Sequence, residues 1–470
     1  MSMTFNMVGS GSGQSGSVSV ESLSVSANGT YIAPSGTAYS PVTVNVQSSA
    51  EEKDVNFIDY DGTILYSYTA EEANALTALP SNPSHSGLTA QGWNWTLAEI
   101  KSQVENVGGI VWVGQMYTTD DGKTRIYCRF EEERKSPYIG LAVNGTVVVN
   151  WGDGSEESTI TGTSTSTVQY TQHSYSSGGN YVISIEVTSG EFLLSGDGTN
   201  YAAAKSYLFK KATSGYSNEN NVYLNCVRKV EIGQDVTIGD GAFAHCGQLE
   251  TITIPNGISI GSYALCQCYP LKSITIPSSI SSVPAGLLYY CYALKTASIG
   301  GSSTEIGNAA FVQCYSLRTI TIPNSVTRIV DYSFSGGRLD TVIIPSGVSY
   351  LGRNVFSAVP TLAKVVISPD SLITAFYTYV FNNCESLVEI TIPPNVTEVG
   401  TYAFYSCTGL KEIHVLPTTP PAVVGSTTFS NIPSDCIIYV PYSADHSVLA
   451  AYQSATIWST YASYMQEEQV

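Results

Sequence analysis

At 470 residues the chain is long enough for about three domains of ~150 residues each. A net charge of −18 and a pI of about 4.6 would repel phosphate backbones, which argues against a nucleic-acid partner. Only 12% of residues are charged while Tyr alone numbers 32, a profile of an exposed, β-rich protein, and no apolar run reaches the ~18–20 residues that would insert in a membrane.

Residues 1–52 are Gly/Ser-rich and then alternate. Ser17-Val18-Ser19-Val20 and the run from Pro41 to Val46 read as short strands of period 2, separated by the turn signals Asn28-Gly29 and Pro34-Ser35-Gly36. The stretch is too short for a core of its own. It reads either as a flexible leader or as a β segment that orders against a partner. The second reading expects attachment to a larger assembly, or a homo-oligomer such as a trimer. Met1 to Gly9 shows no basic n-region and no apolar h-region, and the first basic residue is Lys53, so no Sec-type signal is expected.

Residues 53–135 predict a small α+β domain. Runs 55–58 and 63–68 flank the turn Asp59-Tyr60-Asp61-Gly62. Thr69-x-x-Glu72 and Thr96-x-x-Glu99 are capping boxes opening helices over 70–79 and 97–107, the second ended by Gly108-Gly109. Runs 110–116 and 123–130 predict a hairpin around Asp120-Asp121-Gly122. Trp93 and Trp95 lie in a loop and are expected to close the core, with a binding loop as the lesser reading.

Next, the apolar run 147–149 leads into Trp151-Gly152-Asp153-Gly154, and His173-x-Tyr175 precedes an alternating run over 179–185. On these residues the segment 136–190 resembles a PKD-like β-sandwich domain. The resemblance implies that the Trp packs in the core, that Gly-Asp-Gly makes a tight turn, and that the module is an extracellular spacer or adhesion unit. The copy is shortened after Trp151. Asp153 reads as a turn-stabilising carboxylate rather than a metal ligand, because no second carboxylate follows at fixed spacing. Residues 191–226 form a connector, with a short helix expected over 202–211.

From residue 227 to 442 the chain repeats one sentence. Leu249-x-x-Ile252-x-Ile254-Pro255 returns at Leu271, Leu294, Leu317, Leu339, Leu362, Leu387 and Leu410, in steps of 22, 23, 23, 22, 23, 25 and 23 residues. That period is the leucine-rich-repeat signature. Leu317, Ile320 and Ile322 should point inward, and Thr319 and Thr321 outward. Pro323 should stop the strand. Ala310, Phe311 and Cys314 should pack a third, helical side. Each unit, for example Ile392-Pro393-x-x-Val396-x-x-Val399-Gly400-x-x-Ala403-Phe404-x-x-Cys407-x-x-Leu410, resembles the BspA-like leucine-rich repeat. That family is known from bacterial surface proteins and adhesins, so the resemblance implies binding to proteins or glycans. Residues 443–470 predict a C-terminal cap helix with Tyr452, Trp458 and Tyr461 on its apolar face. The fold class expected is thus mixed α/β and multidomain: a small α+β domain and a PKD-like sandwich, then a solenoid with a helix cap.

Six of the ten cysteines recur at one repeat position, and a ladder of buried, reduced thiols is preferred to disulfides. No zinc spacing, H-E-x-x-H, P-loop or Rossmann glycine pattern occurs, so neither an enzyme nor a cofactor is expected. Two surface features remain. The outward strand positions carry hydroxyls (Thr251/Thr253, Ser273/Thr275, Thr296/Ser298, Thr319/Thr321) and then change to Thr341/Ile343, Lys364/Val366, Glu389/Thr391 and Glu412/His414. Tyr269, Tyr292 and Tyr315 should stack along one edge. The candidate binding surface is therefore Tyr269, Tyr292 and Tyr315 with Ile343, Lys364, Val366, Glu389, Glu412 and His414. Leader, small domains and repeat head, without an export signal, look like a phage or prophage tail-associated receptor-binding protein of the virion, recognising a bacterial cell-surface glycan or protein. The alternative is an extracellular adhesin of the BspA-like kind that binds host proteins. A carbohydrate-degrading enzyme is a third, weaker reading.

Overall fold

The computed structural model describes residues 54–197, 205–210 and 221–469. The strands, attachment and oligomerisation expected of residues 1–52 lie outside that range. The repeats form a β-solenoid of about ten turns, and only 8% of the structure is helical, so "mixed α/β" overstates the helix content.

Each coil presents three sides, and the backbone is laddered to its neighbours on all three. On the first, short strands pair in parallel and in register, as Thr341–Ile344 does with Lys364–Ile367. On the second, two-residue strands such as Glu305–Ile306 and Arg328–Ile329 pair in the same way. The third side was expected to be helical and is not. Residues 308–313 are a run of turns in which Ala309 and Gln313 have φ of 55°. Left-handed backbone costs a non-glycine residue about 1–2 kcal/mol. Here it turns alternate amides out of the coil. The N–H groups of Ala309, Phe311 and Gln313 donate to Asp331, Ser333 and Ser335 in the next coil at 2.9, 2.8 and 2.9 Å. A helix would have kept those donors to itself.

The inward residues behave as the period-2 pattern requires. Leu317, Ile320 and Ile322 are buried, and one continuous core runs from Ile126 to Met465. An aromatic spine threads it: Phe311, Phe334, Phe356, Phe381, Phe404 and Phe429 lie face to face with centroids 5.4–5.6 Å apart. Beside the spine run the thiols. All ten cysteines are free and buried. Each ladder thiol from Cys268 onward donates to a carbonyl of the preceding coil, for example Cys291 to Leu265 at 3.2 Å and Cys407 to Phe381 at 3.1 Å. Desolvation pushes Cys266 and Cys407 up to about 12.

Both ends of the array are closed. At the C-terminal end the single helix expected over 443–470 divides in three. A helix Ser447–Ser454 is followed by extended Ala455 and by Ile457 at φ 69°, then a 3₁₀ segment Trp458–Tyr464, then a strand Met465–Glu468 that joins the solenoid sheet. A β-branched residue in left-handed backbone cannot continue a helix. Trp458 and Tyr452 still cover the core as foreseen: the Trp458 ring lies tilted against Phe429 with centroids 5.2 Å apart, and the polar tips of Trp458 and Tyr452 donate to Pro421 and Pro417 at 2.8 and 2.7 Å.

At the N-terminal end, three long strands and a shorter one cover the first coil. Here β5 is Thr124–Phe130, β6 Tyr138–Asn150, β7 Ser158–Gln172 and β8 Gly179–Leu194, numbered after the four strands of the preceding domain: β1 Val55–Ile58, β2 Ile64–Tyr68, β3 Leu88–Trp93 and β4 Val111–Thr119. The sheet continues from β6 through β8 and β5 into Val227–Glu231 and on to Thr251–Thr253. Within it the motif behaves locally as its resemblance implied. Trp151 is buried, His173 stacks on it at 4.8 Å, and Tyr175 donates to its carbonyl at 3.0 Å. Burial alone would raise the Asp153 carboxyl, but hydrogen bonds from Ser155 and His173 outweigh it and hold it at about 2. These strands share the solenoid's core, so a separate PKD-like sandwich is not confirmed. Residues 205–206 and 209–210 of the connector are extended rather than helical.

The small domain before it has a sheet in the order β2-β1-β4-β3. Both capping boxes form, opening the helices Ala70–Ala75 and Leu97–Asn106. The hairpin expected around Asp120-Asp121-Gly122 does not form. The chain turns there, but β4 stays paired with β1 and β3 while β5 pairs with β8 and Val227–Glu231.

Because every thiol is buried, we expect the native protein to be inert to a thiol reagent at pH 8, and the denatured protein to titrate ten groups. Rapid labelling of any ladder cysteine in the folded state, read by mass spectrometry, would contradict this packing.

Candidate functional site

The outward face of the solenoid's first side is divided in two. Over its first coils the expected hydroxyl ladder is not solvated, because the α+β domain lies on it. Ser273, Thr275, Ser298 and Thr321 are all at most 8% exposed. The contact is dense in hydrogen bonds. The Asn94 amide donates to the carbonyls of Ile276 and Ser298 at 2.9 and 3.3 Å, and the Trp95 indole to Ile299 at 2.7 Å. Gln103 donates to Ile322 at 2.9 Å and accepts from the Asn324 amide at 2.7 Å. The hydroxyls answer: Ser298 donates to Trp112 at 2.6 Å, Thr321 to Ile110 at 2.5 Å, and Ser273 to Tyr60 at 2.9 Å.

Small side chains allow this approach. A Cβ on Gly114 of β4 would lie 2.2 Å from the Thr275 hydroxyl oxygen. The two tryptophans divide the work: Trp93 packs with Phe57 at 4.8 Å inside the domain, while Trp95 joins the domain to the solenoid. Sequence reasoning saw the aromatic loop and the hydroxyl ladder, and missed that they meet.

The cover ends near Gly109, whose added Cβ would meet the Ile343 side chain at 2.5 Å. Beyond it the face is open. Six parallel strands, from Thr341–Ile344 to Met465–Glu468, form a platform about 24 Å across at ~4.8 Å per strand. Lys364 and Glu389 are exposed on it, with Ile343, Val366, Glu412 and His414 half-buried. His414 is fixed: it stacks on Tyr439 at 4.9 Å, and its Nδ1 lies 2.7 Å from Glu468, its Nε2 3.4 Å from Glu412 and 3.9 Å from Glu389. Glu468 and Tyr439 are members of this cluster that the sequence reading did not include. They lie after the last repeat, where periodicity no longer marks outward positions.

The tyrosine edge is a second surface. Tyr269, Tyr292 and Tyr315 stack as expected, with centroids 5.1 Å apart at both steps. Tyr269 and Tyr315 are 38% and 41% exposed, each steadied by donation to Gln267 or Gln313 at 2.6 and 2.7 Å. Burial of one flank raises the Tyr269 and Tyr292 phenols above their ordinary range. The structure thus places the tyrosines on one edge and the six other candidate residues on the open sheet. Among the described residues no group of three or more His, Cys, Asp or Glu is arranged to hold a metal ion, and no helix is long and apolar enough to cross a membrane.

This architecture is a leucine-rich-repeat solenoid with one face partly occupied by its own chain. Residues 236–363 and 304–434 match the model of the BspA type leucine rich repeat region, in 6 copies. The array over residues 236–434, less than half of the chain, is thus similar to the BspA type leucine rich repeat region. Solved structures similar to the chain include a leucine rich cell surface protein from Faecalibacterium prausnitzii A2-165, 25% identical over 48% of this chain and 72% of that one, TM-score 0.27. A leucine rich repeat protein of T. pallidum is 20% identical over 42% and 86%, TM-score 0.29. The pneumococcal vaccine antigen PcpA is 15% identical over 56% and 84%, TM-score 0.27. No curated protein matches the chain.

Gly114→Ala should cost roughly 1–3 kcal/mol by overpacking against Thr275, and Thr275→Ala in the same chain should recover part of it. Urea unfolding of the single and double variants checks this. A neutral Gly114→Ala would mean that β4 does not lie on the solenoid.

Proposed function

We propose that this protein is a non-enzymatic binding protein that attaches to a cell-surface glycan or protein through the open half of its solenoid sheet. One observation carries the reading. The same face that is filled by the α+β domain over the first coils lies bare beyond Ile343, from Lys364 to Glu468, and there it changes from small hydroxyls to Lys, Glu, His and Tyr. A solenoid supplies a surface and not a reaction. Its covered half supports this reading, because there edge carbonyls and strand side chains hold the chain's own loop amides and indoles. The tyrosine edge adds flat apolar area with polar tips, chemistry suited to a sugar face.

The finer reading is a phage or prophage tail-associated receptor-binding protein, with the solenoid as its head. What supports it is the order of parts: an alternating leader, small β-rich domains, then the repeat array. The BspA-type repeat itself supports the other form, a bacterial surface adhesin. Both use the same face.

Reversing charge on the platform with Lys364→Glu and Glu412→Lys should weaken whole-cell or glycan-array binding by roughly tenfold or more while leaving thermal stability unchanged. Unaltered binding in that variant, together with loss on Tyr292→Ala, would move the site to the tyrosine edge. Unaltered binding in both variants would sink the proposal.

A further inference from the structure

A cavity of about 210 Å³ opens where the end of β5 meets Val227–Glu231 and the short helix Asn221–Leu224. Three of the chain's eight arginines line it: Arg129, Arg134 and Arg228. Such a concentration is unexpected in a protein of net charge −18. The backbone sets it up. The Arg129 amide donates to the Cys226 carbonyl at 2.9 Å, which ties the end of β5 to the segment that enters Val227–Glu231. The pairing register then slips between Val227 and Lys229, leaving Arg228 as the extra residue of a bulge. Bulges commonly re-aim a side chain beside a site.

The cations are only partly neutralised. Glu131, also in the lining, pairs with Arg134 at 3.4 Å. Arg228 donates to the neutral amide oxygen of Gln248. Arg129 has no acidic partner among the described residues. Tyr223 and Asn225 complete the wall with neutral polar groups. Two arginines of this lining, neither paired with a carboxylate among the described residues, each carry a fork of N–H donors matched to an oxyanion.

We propose that this cavity binds one oxyanion group, which would be the carboxylate of an acidic sugar or a sulfate or phosphate ester. The site is remote from the open sheet in sequence and stands independently of the reading given above.

Isothermal titration of the full chain with sodium sulfate, sodium phosphate and sodium glucuronate, each at ionic strength matched with sodium chloride, tests it. The expected result is saturable binding of at least one probe, weakened at least about tenfold by Arg129→Gln and by Arg228→Gln and unchanged by Arg353→Gln. Preference for glucuronate assigns a planar carboxylate, and preference for sulfate or phosphate assigns a tetrahedral ester; either supports the site. Should Arg228→Gln disturb folding through its contact with Gln248, Arg129→Gln alone decides, because that side chain is exposed. The proposal is overturned if no probe binds saturably, if chloride competes equally, or if Arg129→Gln retains wild-type affinity.

Discussion

A coil of about 23 residues cannot enclose its own apolar side chains; only the next coil can cover them. Most other features of this chain follow from that. The stacked phenylalanines, the thiols that donate to the preceding coil, and the left-handed residues that turn amides toward the following one all serve contact between neighbours. The same dependence leaves two open ends. The sheet of β5, β6 and β8 closes one, and the Tyr452–Trp458 lid with its added strand closes the other.

Stacking also fixes the outer face. Side chains that must alternate inward and outward leave a regular row outside, and in the first coils that row is made of serine and threonine. Their small size lets a backbone approach as closely as Gly114 does to Thr275, and their hydroxyls satisfy carbonyls that a docked domain would otherwise bury unpaired. Where the cover stops, the row becomes longer and charged, and His414 is held between Tyr439 and Glu468. One face thus carries an internal contact and an open continuation of it.

What could be read from the sequence was what repeats or is local. The inward triplet Leu317, Ile320 and Ile322, both capping boxes, the tyrosine stack and the reduced thiols rest on spacing within a unit or between adjacent units. The turn at Asp120-Asp121-Gly122 was legible as a reversal, but nothing local says that β4 and β5 then take different partners. The third side has helical spacing in Ala310, Phe311 and Cys314, yet backbone donors were better satisfied between coils than within them. The docking of Asn94 and Trp95 on Ser298 and Ile299 joins residues 204 apart, and no periodicity marks it. The change of pattern at Leu339 was visible; its cause, the end of the docked domain near Gly109, was not.

The α+β domain fills one half of the face and leaves the other half bare, and it is to the bare half that the proposed function assigns the partner. A cysteine pair tests it most directly, since the native thiols are all buried. A Cβ on Gly62 would lie 3.0 Å from that of Ser273, close enough for a disulfide to form with slight adjustment between Gly62→Cys and Ser273→Cys. Cell binding of this variant, measured oxidised and reduced, should be equal, with the bond formed in the oxidised protein. Thiols that stay free under oxidation, or binding that appears only after reduction, would contradict the account.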